Sequence, residues 1–233
     1  KTKLVESVVD FVDSSGAYVI QQKFGQISQD QSMAAVISAF NDLCSLISRK
    51  RTPEELNAIV CDLTALFGAQ LSSLARILPN VMLLNPELNA LANDEGQSTE
   101  INLNRVSFTL QLFIRVVSSR EHPVLLFLDD LQWVGNASFD MLAEVLSDIK
   151  GSSCLYFIGS YRSNEVAMDH PIFKFMASLE ACNVSLSRIR LDGMGIEDVN
   201  QMISDALGTV PRICRPLSRI VLQRTEGNPL FVL

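Results

Sequence analysis

The apolar positions of this chain alternate between a helical spacing and an extended one. Leu4, Val5, Val8, Val9 and Val12 recur at helical spacing, so a helix already runs at residue 3 or 4, and Ser14-Ser15-Gly16 supplies its stop. Ala17 to Phe24 reads as a strand that Gly25 breaks. Met33, Val36, Ile37, Phe40, Leu43, Cys44 and Ile47 then line one face of an amphipathic helix that reaches about Arg49. Thr52-Pro53-Glu54-Glu55 is a helix start: Thr52 as N-cap, Pro53 at the first helical position, Glu55 closing a capping box. That helix stops near Phe67-Gly68, and a short successor runs to Leu78, where Pro79 stops it. Residues 85–100, with Asn85-Pro86 and the stretch Asn93 to Thr99, have the content of a mobile loop. A long helix is predicted from Glu100 to Ser119.

Next comes PVLLFLDDLQW at 123–133, around which the rest is organised. Val124 to Leu128 form an unbroken apolar run behind a proline, the mark of a strand buried on both faces inside a parallel sheet. Asp129 and Asp130 follow at once. Ligands of such sheets sit beyond the carboxyl ends of the strands, so two acids stand where a ligand would lie. Adjacent acids repel, and a cation relieves the repulsion. Mg²⁺ shared between a carboxylate and phosphate oxygens is one solution. A core strand ending in a solvated acidic turn is the other reading of the same residues.

Past this strand, Phe139, Leu142, Val145, Leu146 and Ile149 mark a helix over Asn136 to Lys150, capped by Asn136 or Ser138. Cys154 to Ser160 is a second apolar strand, Asp169-His170-Pro171 opens a short helix to Ala181, and Leu186 to Leu191 is a further candidate strand. Strands alternating with helices imply an α/β fold: a parallel sheet flanked by helices, with right-handed crossovers. After Asp192-Gly193 the pattern changes. Ile196 to Leu207 and Arg212 to Thr225 are helices with no strand between them. A boundary is placed near 192, dividing an α/β core over 1–192 from a small helical domain over 193–233.

Composition narrows the function classes. The 233 residues are 48% hydrophobic and 19% charged, with a net charge of −7, and no run of basic residues stands out. This argues against a nucleic-acid or membrane-surface binder, which needs clustered Lys and Arg. No 18-residue apolar segment suggests a membrane span. Lys1-Thr2-Lys3 lacks the apolar core of a signal peptide. Cys44, Cys61, Cys154, Cys182 and Cys214 are odd in number and widely spaced, which points away from disulfides or zinc and toward a reducing, cytoplasmic setting.

Other residues gain meaning from the acid pair. Lys1-Thr2 opens a helix that leads into a strand, as the final Lys-Ser/Thr of a phosphate-binding loop does. Lys1 would then reach the β- and γ-phosphates, and the Thr2 hydroxyl would bind Mg²⁺. The glycines of such a loop would lie just before residue 1. Arg162, after Gly159-Ser160-Tyr161, sits one strand over from Asp129 if the strands are parallel. A guanidinium there could sense a γ-phosphate, or simply pair with Glu165. Gly227-Asn228-Pro229 fits a turn and helix start. His122 and His170 both precede proline and read as turn residues, and Trp133 either covers the site or packs.

Lys1-Thr2, PVLLFLDDLQW, LYFIGSYRSNEV at 155–166 and TEGNPLFV at 225–232, taken in order, resemble the AAA-type P-loop ATPase domain of the STAND class, the signal-transduction ATPases with numerous domains. The nearest resemblance is to the form found in large multidomain sensor kinases. KFGQ at 23–26, NRVSFTLQLFIRV at 105–117 and HPI at 170–172 add to it. The resemblance implies a P-loop NTPase-like sheet followed by the start of a helical lid. It implies ATP or ADP with Mg²⁺ as ligands, and attached kinase or sensor domains in one polypeptide, with a homo-oligomer as a further partner. By position, Lys1 and Thr2 match the end of Walker A, and Asp129 the Walker B acid that holds Mg²⁺. Asp130 matches the acid that polarises the attacking water, Arg162 the sensor-1 arginine, and Pro229 the proline near adenine that ties the lid to nucleotide state. Asp130 stands where AAA enzymes often carry Glu, and the shorter acid implies slow turnover. Two rivals remain. One is a scaffold that keeps the fold without hydrolysis. The other is a P-loop phosphotransferase using 85–100 as its lid.

Overall fold

The computed structural model describes residues 2–26, 29–85, 103–147 and 154–232. Lys1 and the loop expected over most of 85–100 lie outside them. The chain divides into two compact units, Lys1–Leu186 and Ser187–Leu233.

The first unit is a parallel three-stranded sheet of order β1-β2-β3, flanked by helices. Its strands are β1 (Tyr18–Lys23), β2 (Val124–Asp129) and β3 (Leu155–Gly159). Every residue of β2 is buried, as the unbroken apolar run requires. Its neighbours are held in a register that aligns their carboxyl ends: Lys23 pairs with Asp129, and Leu128 with Gly159. Helix α1 (Thr2–Ser14) leads into β1. Helices α2 (Gln29–Lys50) and α3 (Pro53–Phe67) follow, then α4 (Leu71–Ile77). Helix α5 (Leu103–Val117) precedes β2, α6 (Asn136–Ser147) separates β2 from β3, and α7 (Pro171–Ala181) follows β3. Their apolar stripes close one core that includes Phe40, Leu63, Leu110, Phe113, Leu126 and Leu142.

Local chemistry explains the helix starts. Thr52 Oγ1 accepts the Glu55 backbone N–H at 3.4 Å, and Glu55 Oε2 accepts the Thr52 N–H at 2.9 Å, a complete capping box. Ser138 does not cap α6; it lies inside the helix and its hydroxyl is 2.6 Å from that of Ser32 in the core. The histidines are structural. His122 Nδ1 is 3.1 Å from the Gly16 carbonyl oxygen, and the His170 ring caps α7 by accepting the Ile172 N–H at 3.1 Å. Trp133 packs against the core. Among the described residues no single helix is long and apolar enough to cross a membrane.

One expected element is absent: Leu186 to Leu191 is not a strand. Ile189 is 82% exposed there. Spaced apolar residues can suggest extended backbone, but a strand also needs a partner for its N–H and C=O groups. Among the described residues this stretch pairs with no strand.

The second unit holds α8 (Ile196–Leu207), α9 (Pro211–Thr225) and the short α10 (Pro229–Val232). Val199, Ile203 and Cys214 form its core, and Ser218 Oγ donates to Asn200 Oδ1 at 2.9 Å. Two backbone segments meet directly in it, with the Met194 N–H bonded to the Gly227 carbonyl at 2.8 Å. Gly227 has φ +74°, and a Cβ there would stand 2.3 Å from the Met194 carbonyl oxygen. Gly227→Ala is therefore expected to cost the second unit about 1–3 kcal/mol. Hydrogen exchange should show lost protection over 196–225 with β2 unaffected; full protection over 196–225 would contradict this packing.

Candidate functional site

The common register of the three strands delivers a rim of polar side chains at their carboxyl ends. Asp129 closes β2 and is 4% exposed; Asp130 follows at 8%. Asp130 takes the left-handed conformation, φ 60° and ψ 47°, which Asp tolerates better than most residues. That turn ends the strand alternation and starts the 3₁₀ turn Leu131–Trp133. Its cost is of the kind found at functional sites.

The two acids are satisfied by separate partners. Asp129 Oδ2 accepts the Thr2 hydroxyl at 2.8 Å. Its Oδ1 accepts the Ser160 hydroxyl and, at 3.1 Å, the Asp130 backbone N–H. Asp130 faces cations instead: Lys23 Nζ lies 3.5 Å from its Oδ2, and Arg162 Nε 3.4 Å from its Oδ1. Gln132 Nε2 donates to the same Oδ1 at 3.1 Å. Arg162 also binds Glu165, Nη1 to Oε1 at 2.8 Å. Arg162 thus pairs with both Asp130 and Glu165. The bond to Glu165, then the charge of Asp130, holds its guanidinium above its ordinary pKa.

Of the residues singled out from the pattern, Thr2, Asp129, Asp130 and Arg162 come together at this rim. Lys1 lies outside the described residues. Pro229 opens α10 in the second unit. Pattern reading missed Lys23, Gln132 and Ser160. Lys23 had a findable signal, since aligning β1 with β2 in parallel sets the end of one beside the end of the other.

Hard oxygen donors suit a hard cation, and the Thr2 hydroxyl and Asp129 carboxylate offer them side by side. Among the described residues no three His, Cys, Asp or Glu side chains cluster to hold a metal alone. A cation here would have to share its shell with phosphate oxygens and water, the manner in which Mg²⁺ is commonly bound.

This α/β rim belongs with a known class. The family described as "AAA ATPase domain" matches residues 1–156, and the chain belongs to that family. Its three parallel strands flanked by helices are consistent with the P-loop NTPase-like fold. AAA ATPase domains generally bind nucleotide with Mg²⁺. The chain is also similar to hybrid signal transduction histidine kinase G of Dictyostelium discoideum, 22% identical over 91% of this chain. It spans only 8% of that relative's length. No solved structure matches the chain.

Burial pushes the Asp129 carboxyl up, but the Ser160, Thr2 and Asp130 N–H bonds and the Lys23 charge outweigh it and leave the group below the usual carboxylate range. The sign of its linkage to folding follows. Its stabilisation is complete above the unfolded value of about 3.9 and is lost as pH falls through the lower folded value. Without divalent cations, carboxyl-carbon NMR should place the Asp129 midpoint below that of an ordinary Asp. Ser160→Ala should move it up; an unmoved midpoint would show that the hydroxyl does not hold the charge.

Proposed function

We propose that this chain is an ATP- and Mg²⁺-binding switch module of the STAND class, set within a larger cytoplasmic signalling polypeptide, that hydrolyses ATP slowly. Family membership supports the nucleotide. The observation that carries the reading is the hydrogen bond between the Thr2 hydroxyl and the Asp129 carboxylate, which sets two oxygen donors beside a second acid and two cations.

On this reading Lys1 would serve the β- and γ-phosphates, and Thr2 and Asp129 would hold Mg²⁺. The ion, when bound, neutralises charge on the phosphate oxygens. Arg162 offers its planar donors to the γ-phosphate, and Lys23 adds positive charge beside Asp130. Asp130 orients a water by accepting one of its protons in a hydrogen bond. The water oxygen attacks the γ-phosphorus, the bond to the β–γ bridging oxygen breaks, ADP leaves, and the proton ends on the released phosphate. Catalysis rests on positioning and charge placement. The helical unit is read as a lid, with Pro229 as its nucleotide-responsive proline, and nucleotide state is read by attached kinase or sensor domains or by a further copy of the chain. The similarity to a hybrid signal transduction histidine kinase of Dictyostelium supports that setting.

One observation favours a second reading, binding without turnover. Both Asp130 oxygens are already engaged, one by Lys23 and the other by Arg162 and Gln132. A single series separates the two. Calorimetry on the natural polypeptide should show ATP binding that needs Mg²⁺ and is weakened by Thr2→Ala. Asp130→Asn, whose amide suits the left-handed turn, should keep affinity and lose turnover by roughly 100-fold or more. No ATP binding by the wild type refutes the proposal. Binding with no wild-type rate to lose selects the second reading.

A further inference from the structure

Gln132 decides how the acid pair meets its partners. It sits in the turn Leu131–Trp133 and is 6% exposed. Its Nε2 sends one proton to Asp130 Oδ1 and the other to Glu165 Oε2, both at 3.1 Å. Its Oε1 accepts the Arg162 backbone N–H at 3.2 Å. Its backbone carbonyl accepts the His170 Nε2–H at 3.1 Å, a tautomer required by the Ile172 N–H on Nδ1. A carboxamide has two donor protons and one acceptor oxygen, and all are used. The amide orientation is forced, because the reverse would aim its oxygen at two carboxylates. With Arg162 binding Asp130 through Nε and Glu165 through Nη1, the four side chains close a ring.

We propose that Gln132 is a positioning residue of the nucleotide site, fixing the Asp130 carboxylate and the Glu165–Arg162 pair relative to each other. The inference rests on the roles proposed above for Asp130 and Arg162. An Asp carboxyl turns about a broad, shallow torsion. A donor from a buried, fully bonded amide at Oδ1 stops that rotation and leaves Oδ2 toward Lys23. The ring acts on Arg162 as well. A guanidinium held in place by two carboxylates has little rotational freedom left to lose when a phosphate arrives. Glu165 would touch no reacting atom in this scheme. It orients Arg162 from behind, and Gln132 orients Glu165.

The test separates rate from affinity, a split that a purely structural role would not produce. Gln132→Met fills the same volume and removes the donors. In the natural polypeptide with ATP and Mg²⁺, it should keep nucleotide affinity within about threefold and lower kcat roughly 10- to 100-fold, the scale of an ångström's misplacement. In an Asp130→Asn background it should cost clearly less than in the wild type, since the part of its effect that runs through Asp130 cannot be lost twice. Should circular dichroism show Gln132→Met unfolded, Gln132→Asn, whose amide is too short to span both acids, is read by the same criteria. An unchanged kcat, or a loss that adds in full to that of Asp130→Asn, overturns the inference and leaves the ATPase reading intact. A wild type that binds ATP without turnover overturns it while binding stands, and a wild type that binds no ATP overturns both.

Discussion

Two adjacent carboxylates at the end of a fully buried strand are the constraint on which the rim depends. Asp129 and Asp130 leave water almost entirely, and an uncompensated buried charge costs several kcal/mol. The chain resolves this by dividing the labour. Asp129 is answered by neutral donors: two hydroxyls and a backbone N–H. Asp130 is answered by Lys23, Arg162 and the Gln132 amide. The left-handed turn at Asp130 makes the division possible, because it breaks the strand alternation between the two acids.

The same division gives the rim its proposed chemistry. An acid bonded to hydroxyls remains a strong oxygen donor, and one of those hydroxyls is itself a hard ligand. An acid flanked by cations is quieter, and those cations are what an arriving phosphate would attract. On the proposed reading, nucleotide binding redistributes partners already in place. A module built this way suits a switch: its resting state is compensated, and its liganded state draws on the same few side chains. Gly193 and Gly227 in the second unit show the same economy, since backbone meets backbone where a side chain would not fit.

Much of this was legible in the residues. Val124 to Leu128 could scarcely be anything but a buried strand, and the capping box at Thr52 and the stripe over Ile196–Leu207 carried their own boundaries. The meeting of Thr2 with Asp129, 127 positions apart, followed from motif order rather than from any local signal. What escaped was what register and turn geometry create. Lys23 reaches Asp130 because β1 ends level with β2. Gln132 reaches two acids because the chain turns left-handed just before it. Leu186 to Leu191 misled for a related reason: a few spaced apolar residues say nothing of whether a neighbouring strand is there to bond them.

The central claim is that one end of this sheet receives a metal–nucleotide complex. Paramagnetic broadening by Mn²⁺ with ATP tests it most directly, because the effect falls steeply with distance from the ion. The account predicts that the amide signals of Thr2, Asp129, Asp130, Ser160 and Arg162 in the natural polypeptide are lost first. Broadening that spares these five and gathers elsewhere, or none at all, would contradict it.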